Sequence, residues 1–562
     1  MFKPKLFTTL KGYTFSQFTS DLTAGLIVGI IALPLSIALA IASGVSPEKG
    51  LITACVAGFF ISFLGGSSVQ IGGPTGAFVI IIYNIIAQYG LRGLTLATIM
   101  AGVFLVIMGF LKLGSYIKFI PWPITTGFTS GIAIVILSTQ LKDFTGIVTD
   151  HDPSEFLEKL ANLWEYKHTI YLPSLLIGIG AFLLIYFWPK KIKKIPGTLV
   201  AILLSTLANS LFHLNADTIG SRFGNLKASF SLPDFTGVTM QEIQALLPSA
   251  FTIAILAGIE SLLSAVVADG MIGGKHRPNM ELIAQGVANI FSALTGGIAA
   301  TGAIARTAAN VKNGGRTPVA GLVHSVAILV MMFLFMPYAS MIPMSCLAAI
   351  LINVALNMGE WKVFIELFKA PKSDFFIFLL TFVLTILFDL VVAIEVGMVL
   401  AAILFVKRMA DVSGVRPISD EITDLHDPDN PMELLKLPMP DQVQVYEVNG
   451  PFFFGAATRF TEVMGQISVY PKVFILRLRH VPAIDVTGLN ALEQLKWRLD
   501  KNGTILLLSG VQEQPAKVLA KSGFIDSLGA EYVHKHLNSA VKMANQLVNH
   551  TFNVEIEESV SV

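Results

Sequence analysis

Residues 72–77 read Gly72-Gly-Pro-Thr-Gly-Ala77, and in the second half of the chain residues 296–303 read Gly296-Gly-Ile-Ala-Ala-Thr-Gly-Ala303, each inside a strongly apolar stretch. Glycine and proline interrupt a membrane helix. An interrupted helix presents unpaired backbone N–H groups and the positive end of its dipole within the bilayer. Two such interruptions in corresponding positions of two halves point to the binding site of a transporter.

Composition agrees with that class. Of 562 residues 53% are hydrophobic and 14% charged, against about 25% charged in typical soluble domains, so most of the chain faces lipid. The net charge of +1 argues for no nucleic-acid or acidic partner. Cys55 and Cys346 lie in apolar segments, where they read as packing residues and not as a disulfide framework. Residues 1–20 carry Lys3, Lys5 and Lys11 without an apolar core or a small-residue cleavage site, which implies a cytoplasmic N-terminus and no signal peptide.

Apolar runs of about 15 to 25 residues, long enough to span a bilayer, begin near Leu22, Gly50, Gly93, Ile117, Leu172, Gly197, Leu247, Met280, Pro318, Pro343, Phe375 and Leu390. The shorter pieces after Pro74 and after Ala300 are read as half-helices, each preceded by a short extended segment. The total is about fourteen segments, split as seven plus seven between Phe212 and Leu246.

Lys and Arg accumulate in short cytoplasmic loops. With the N-terminus inside, the predicted inner loops hold Lys112 and Lys118, then Lys190, Lys191, Lys193 and Lys194, then Lys275 and Arg277, Lys312 and Arg316, and finally Lys407 and Arg408. The opposite loops, 142–170 and 214–245, carry Asp143, Asp150, Asp152, Glu155, Glu158, Asp217 and Asp234. An odd number of segments per half makes the second repeat enter from the other face, so the repeats are inverted. The membrane domain is thus 21–410, with repeats at about 21–213 and 246–410.

After Arg408 the composition changes. Residues 411–440, rich in Asp, Glu and Pro, read as a linker. Residues 441–550 alternate strand-like runs (Val443–Val448, Val473–Leu478, Thr504–Ser509) with helical stretches, as in a small α/β domain, and 551–562 read as a tail.

The blocks Glu260-Ser-Leu-Leu-Ser-Ala-Val-Val-Ala-Asp269, Asn279-Met-Glu-Leu-Ile-Ala-Gln-Gly286, Ala288-Asn289, Gly296-Gly297, Thr301-Gly302, Ile304-Ala-Arg-Thr-Ala308 and Gly315-Arg-Thr-Pro318 resemble the sulfate permease (SulP) family of anion transporters. Ile484-Asp-Val-Thr-Gly-Leu-Asn-Ala-Leu492 resembles the signature turn of the STAS domain that such transporters carry at the C-terminus. The resemblance implies a uracil-transporter-like fold of inverted repeats, divided into a gate domain and a core domain that moves as an elevator-like unit. It also implies an anion held between the N-termini of the two half-helices, which map onto Thr75, Gly76 and Ala77 and onto Thr301, Gly302 and Ala303. Orphan amides and two convergent dipole ends suit that role. Glycine-mediated helix packing is the structural alternative for either motif taken alone.

Arg306 follows the second motif by one helical turn and can stabilise negative charge, unless it only pairs with Glu260. No charge follows the first motif, so the site is expected to be asymmetric, with electrostatic control in the second repeat. Glu260 lies within the apolar run Leu247–Ala268 with Ser264 one turn on. It is the candidate coupling group, exchanging H⁺ or joining Ser264, Thr301 and exposed carbonyls around Na⁺, with a structural ion pair as the alternative. Family members of the sodium-coupled kind more usually have Asp here, which tilts the reading toward H⁺. His276 is placed in an inner loop as a solvated basic flank, and His324 as a satisfied packing residue. Asp269 and Asn279 read as turn and capping residues.

Sulfate-transporting and animal relatives tend to show a polar triplet such as Pro-Gln-Gly in the first segment. This chain reads Ala32-Leu-Pro-Leu-Ser-Ile-Ala-Leu-Ala40, more like the bacterial bicarbonate branch, leaving Ser36 as the polar contact there. In the tail Asp485 is followed by Val486 and only then by Thr487, which disfavours a phosphorylation switch and leaves support of dimerisation and folding. Residues 441–550 show no Ser-His-Asp spacing, metal cluster or phosphate loop, so no enzyme or cofactor is implied.

The reading is a homodimeric secondary transporter of a small inorganic anion, bicarbonate or sulfate, in a bacterial inner membrane, coupled to H⁺ or Na⁺, with both termini cytoplasmic. An uncoupled anion channel or exchanger, a C4-dicarboxylate transporter and a membrane-bound signalling scaffold are the rival readings.

Overall fold

In the computed structural model the first membrane helix, α1, spans Phe15–Ala42 and so begins well before the apolar run at Leu22. A capping box explains the early start: Thr14 Oγ1 accepts from the Gln17 amide at 3.3 Å while the Thr14 amide donates to Gln17 Oε1 at 2.9 Å. The structure describes residues 2–116, 121–151, 153, 155–188, 196–224, 229–230, 232–388, 390–417, 440–465 and 469–560. The basic residues Lys118, Lys190, Lys191, Lys193 and Lys194 of the predicted inner loops, Asp152 of an opposite loop and residues 418–439 of the predicted linker lie outside it.

Helix α2 (Pro47–Leu64) follows, with Pro47 at its first position, where a missing N–H costs nothing. The chain then runs through the two-residue strand β1 (Gly72–Gly73) and a single 3₁₀ turn (Gly76–Phe78) into α3 (Val79–Phe110). Gly90 breaks α3 with a φ of 67°. Only Val79–Tyr89 therefore belongs to the first half-helix. Next come α4 (Trp122–Thr145), α5 (Phe156–Glu165), α6 (Leu172–Tyr186), α7 (Gly197–Leu211) and the short α8 (Ile219–Phe223).

The second repeat opens with α9 (Met240–Ile272), again earlier than its apolar run at Leu247 because Thr239 caps it in the polar flank. It continues with α10 (Pro278–Leu294), the strand β2 (Thr301–Gly302), the half-helix α11 (Ile304–Lys312), α12 (Val319–Ala339), α13 (Met344–Met358), α14 (Lys372–Leu387) and α15 (Leu390–Val412). With the two sides of Gly90 counted separately, α1, α2, α3, α4, α6 and α7 match α9–α15 piece for piece among the described residues, as expected of seven plus seven. Seven helices among the described residues are each long and apolar enough to cross a membrane.

Packing separates two helix groups. Helices α1–α3 pack with α9–α12, and α4, α6 and α7 with α13 and α14. Within the first group α3 and α10 touch backbone to backbone. A Cβ on Gly102 would stand 2.6 Å from Gly286 O, and one on Gly286 would stand 2.5 Å from Gly102 O. Small residues permit this approach, which drives helix association in lipid.

The chain divides into two units, Met1–Met398 and Val399–Val562, a boundary inside α15 and not at residue 410. The second unit holds a five-stranded sheet in the order β3 (Gly414–Pro417), β4 (Val443–Asn449), β5 (Val473–His480), β6 (Ile505–Ser509), β7 (Val533–His534). Strands β4 to β7 run parallel and β3 is antiparallel to β4. One face is covered by α16 (Phe454–Gly465) and α17 (Val486–Lys501), the other by the last helix, Leu537–Val560. Two boundaries change: β3 lies in what reads as linker, and the last helix runs through most of the predicted tail.

Candidate functional site

Strands β1 and β2 bring the two glycine motifs into one structure. They pair antiparallel, Gly72 opposite Gly302 and Gly73 opposite Thr301, so the repeats meet backbone to backbone at the starts of their half-helices. Antiparallel pairing is what oppositely oriented halves produce. Gly73 has φ 148°, and a Cβ there would lie 2.5 Å from Arg306 Nη1. Nothing larger than glycine leaves room for that guanidinium.

Polar side chains from other helices hold the extended segments in place. Glu281 accepts from the amides of Gly66 and Ser67 at 2.8 and 3.0 Å. Asn310 Nδ2 donates to Val69 O at 2.8 Å, Gln70 Nε2 to Ser261 O at 3.1 Å, and the Ile71 amide to Thr307 Oγ1 at 3.1 Å. In the second motif Thr53 Oγ1 accepts from the Ile298 amide at 2.7 Å, and Asn289 bonds both the amide and the carbonyl of Ala300, at 2.8 and 2.9 Å. Each buried backbone group of these irregular stretches needs such a partner in lipid. Sequence reading assigned no role to Gln70, Ser261, Glu281, Asn289, Thr307 or Asn310; polar residues inside apolar runs were the available signal.

At the first mouth the Phe78 amide closes on Thr75 O at 3.3 Å, which leaves the amides of Gly76 and Ala77 ahead of the first intrahelical bond. At the second, the Gly302 amide meets Ser261 Oγ at 3.4 Å and the Ala303 amide is taken by Ile71 O at 2.8 Å. The first intrahelical bond is Thr307 N to Ala303 O at 2.9 Å. Donors at this end are therefore the amides of Ile304, Ala305 and Arg306, slightly beyond the Thr301–Ala303 stretch expected to supply them. Ile304 and Ala305 are exposed, so this mouth is open.

Both charged residues act on the first motif. Arg306, buried with 2% exposure, donates through Nη2 to Pro74 O, and its Nε and Nη1 have no partner. Glu260 Oε2 accepts from Thr75 Oγ1 at 3.0 Å. The expectation that the first motif has no charge near it is thus corrected: sequence distance hid two charges that folding brings to adjacent residues. The alternative of an Arg306–Glu260 ion pair is not formed, since the one guanidinium bond goes to Pro74.

The remaining predicted residues divide. Thr301 Oγ1 donates to Ala257 O at 3.0 Å and lies 2.7 Å from Ser261 Oγ. Ser264 donates to Thr307 Oγ1 at 3.2 Å, so the hydroxyls of Thr301 and Ser264 expected around Na⁺ are both engaged in packing the half-helix in this arrangement. Ser36 is fully buried with its hydroxyl unpartnered, its backbone packed against Gly50 of α2. His276 is not a solvated flank; only 13% of its side chain is exposed and Nδ1 lies 2.7 Å from Asp269 Oδ2, which also accepts from the His276 amide, giving Asp269 its turn role. His324 is buried as a packing residue, yet neither ring nitrogen has a partner.

Residues 18–381 match the sulfate permease family and residues 435–541 the STAS domain. The chain is 39% identical over 528 residues to the putative sulfate transporter YvdB of Bacillus subtilis (strain 168), covering 94% of this chain and 98% of that one. It is 32% identical over 531 residues to the bicarbonate transporter BicA of Picosynechococcus sp. (strain ATCC 27264 / PCC 7002 / PR-6), covering 90% and 91%. The solved structure of SLC26A9 has the same fold, with a TM-score of 0.84 at 18% identity over 99% of this chain and 93% of that one. The chain therefore belongs to the sulfate permease family, a polytopic helical membrane protein with a C-terminal STAS domain.

Proposed function

We propose that the protein is a secondary active transporter of a small oxyanion, bicarbonate or sulfate, which binds between the two half-helix mouths and crosses the membrane with the α1–α3 and α9–α12 group in an elevator-like motion. The observation that carries this reading is Arg306, a buried cation with two unpartnered nitrogens beside two sets of unpaired amides. An unpaired buried charge is costly, and an anion offsets that cost. Glu260, bonded to Thr75 at one of those mouths, is the coupling group; carrying H⁺ or facing Na⁺ alters the charge next to the anion. Two relatives support the substrate class, one named a putative sulfate transporter and the other a bicarbonate transporter.

The test is uptake of labelled bicarbonate, sulfate and a C4-dicarboxylate by the full chain in liposomes, with proton and sodium gradients imposed separately. Gradient-driven accumulation of an oxyanion is expected. Oxyanion flux that never exceeds equilibrium under either gradient would identify an uncoupled channel or exchanger, and no oxyanion flux at all would sink the reading.

A further inference from the structure

The segment before α1 is laced onto the first helix group. The Lys5 amide donates to Gly65 O at 2.9 Å and the Arg277 amide to Gly66 O at 2.9 Å, while Arg277 Nη1 donates back to Lys3 O at 2.6 Å and to Pro4 O at 3.3 Å. Ring contacts extend the join: Phe2 lies 5.5 Å from Phe110 at the end of α3, and Phe7 lies 6.2 Å from Phe63 at the end of α2. The N-terminal segment, the ends of α2 and α3 and the turn before α10 therefore meet at one junction.

Two kinds of surface come together there. Lys3, Lys5 and Arg277 belong to the lacing itself, and Lys112 stands two residues beyond Phe110. Among the described residues none of these four cations forms an ion pair. Carboxylates on the adjoining segments are already engaged: Asp269 accepts from the His276 amide and lies 2.7 Å from its Nδ1, and Glu281 accepts from the Gly66 and Ser67 amides and from Gln285. Burial, then the Arg277 charge, holds the Lys5 ammonium below its ordinary value of 10.5 against the pull of Asp269. Cations crowded without a counter-ion call for an anion. Beside them Phe2, Phe7, Phe110 and Leu111 are exposed. A soluble anion satisfies the cations and leaves that apolar surface in water, whereas an anionic lipid satisfies both.

We propose that this junction binds an anionic phospholipid, with the headgroup phosphate on Lys3, Lys5, Lys112 and Arg277 and the acyl chains against Phe2, Phe7 and Phe110. The Gly65–Gly66 backbone that anchors the site runs on into β1, so a bound headgroup tethers the helix group carrying both half-helices to one leaflet.

The experiment titrates the full chain, in micelles of a neutral detergent, with a fluorescently labelled phosphatidylglycerol and separately with phosphatidylcholine carrying the same label, and reads anisotropy. Phosphatidylglycerol should bind more tightly, with an advantage that shrinks as salt is raised. For Lys3→Gln/Lys5→Gln the ratio of the two affinities should fall about 25-fold, since each lysine at a membrane surface is worth about fivefold. Lys3→Arg/Lys5→Arg, which keeps the charge, should restore the ratio. Phe2→Ser/Phe7→Ser should weaken both lipids alike. Equal affinities in the wild type, or an unchanged ratio in Lys3→Gln/Lys5→Gln, overturn the proposal. So does competition by glycerol phosphate as strong as that by unlabelled phosphatidylglycerol, which would make this a site for a soluble anion. If the double variant is not monodisperse, Lys3→Gln alone should lower the ratio about fivefold, and no change in that variant overturns the proposal equally.

Discussion

Arg306 carries the heaviest demand at the scale of single residues, because one nitrogen holds Pro74 and the other two face no protein partner. Lysine keeps the charge but has a single point donor, unable to hold the carbonyl and meet an anion together. Arg306→Lys should raise the KM for anion uptake about tenfold, a loss of about 1.4 kcal/mol, and Arg306→Ala should abolish measurable uptake. A KM within twofold of wild type for the lysine variant would show that the anion does not touch this side chain. Glu260→Gln retains an acceptor for Thr75 but cannot change its charge. It should therefore support anion counterflow at equilibrium while losing accumulation under any proton or sodium gradient, measured in the same liposomes. Both residues were legible in the sequence as charges inside apolar runs. Their target was not, because nothing local to Gly72–Ala77 announces that a guanidinium and a carboxylate from the other repeat end on Pro74 and Thr75.

At the scale of elements, the half-helices exist because side chains replace the hydrogen bonds that a continuous helix would have supplied. Asn289 does this twice for Ala300, and truncation leaves both backbone groups buried without partners. Asn289→Ala should cost about 1–3 kcal/mol per orphaned group and lower the thermal midpoint of the purified protein, read from tryptophan fluorescence or a thiol-reactive dye. An unshifted midpoint would mean that water substitutes for the amide. Gly286→Leu should be worse, since the α3–α10 contact has no space for a side chain; loss of a monodisperse peak on size exclusion is expected. The half-helices and the extended residues before them were readable from glycine and proline placement. The β1–β2 pairing was not, because two-residue strands are too short to show a period of two. Helix starts were misplaced at Leu22 and Leu247 for a related reason: hydropathy marks where lipid begins, whereas Thr14 and Thr239 mark where the helix does.

For the whole molecule, the fall in hydropathy after Arg408 revealed two kinds of structure in one chain, though β3 was hidden in acidic, proline-rich sequence that offers no alternation to read. The two units also differ in what disturbs them. Burial holds the His534 imidazole, on the last strand of the STAS sheet, below its ordinary value of 6.5. The unfolded chain then binds the proton more readily than the folded one, so the contribution is fully present above about pH 6.5 and declines as the pH drops through that value. Thermal unfolding of the full chain between about pH 5.5 and 7.5 should show the STAS transition falling on the acid side, and His534→Asn should flatten that fall; an identical slope in the variant would refute the assignment. The β1–β2 bridge has a different kind of consequence. Because the Ala303 amide donates to the Ile71 carbonyl and β1 pairs with β2, the two mouths form one hydrogen-bonded piece, which in the proposed elevator-like motion would travel as a unit. An anion would then leave by being uncovered, never by being pried loose, and its intrinsic affinity would be the same on both faces. Any rectification must be written into the surroundings of the grip.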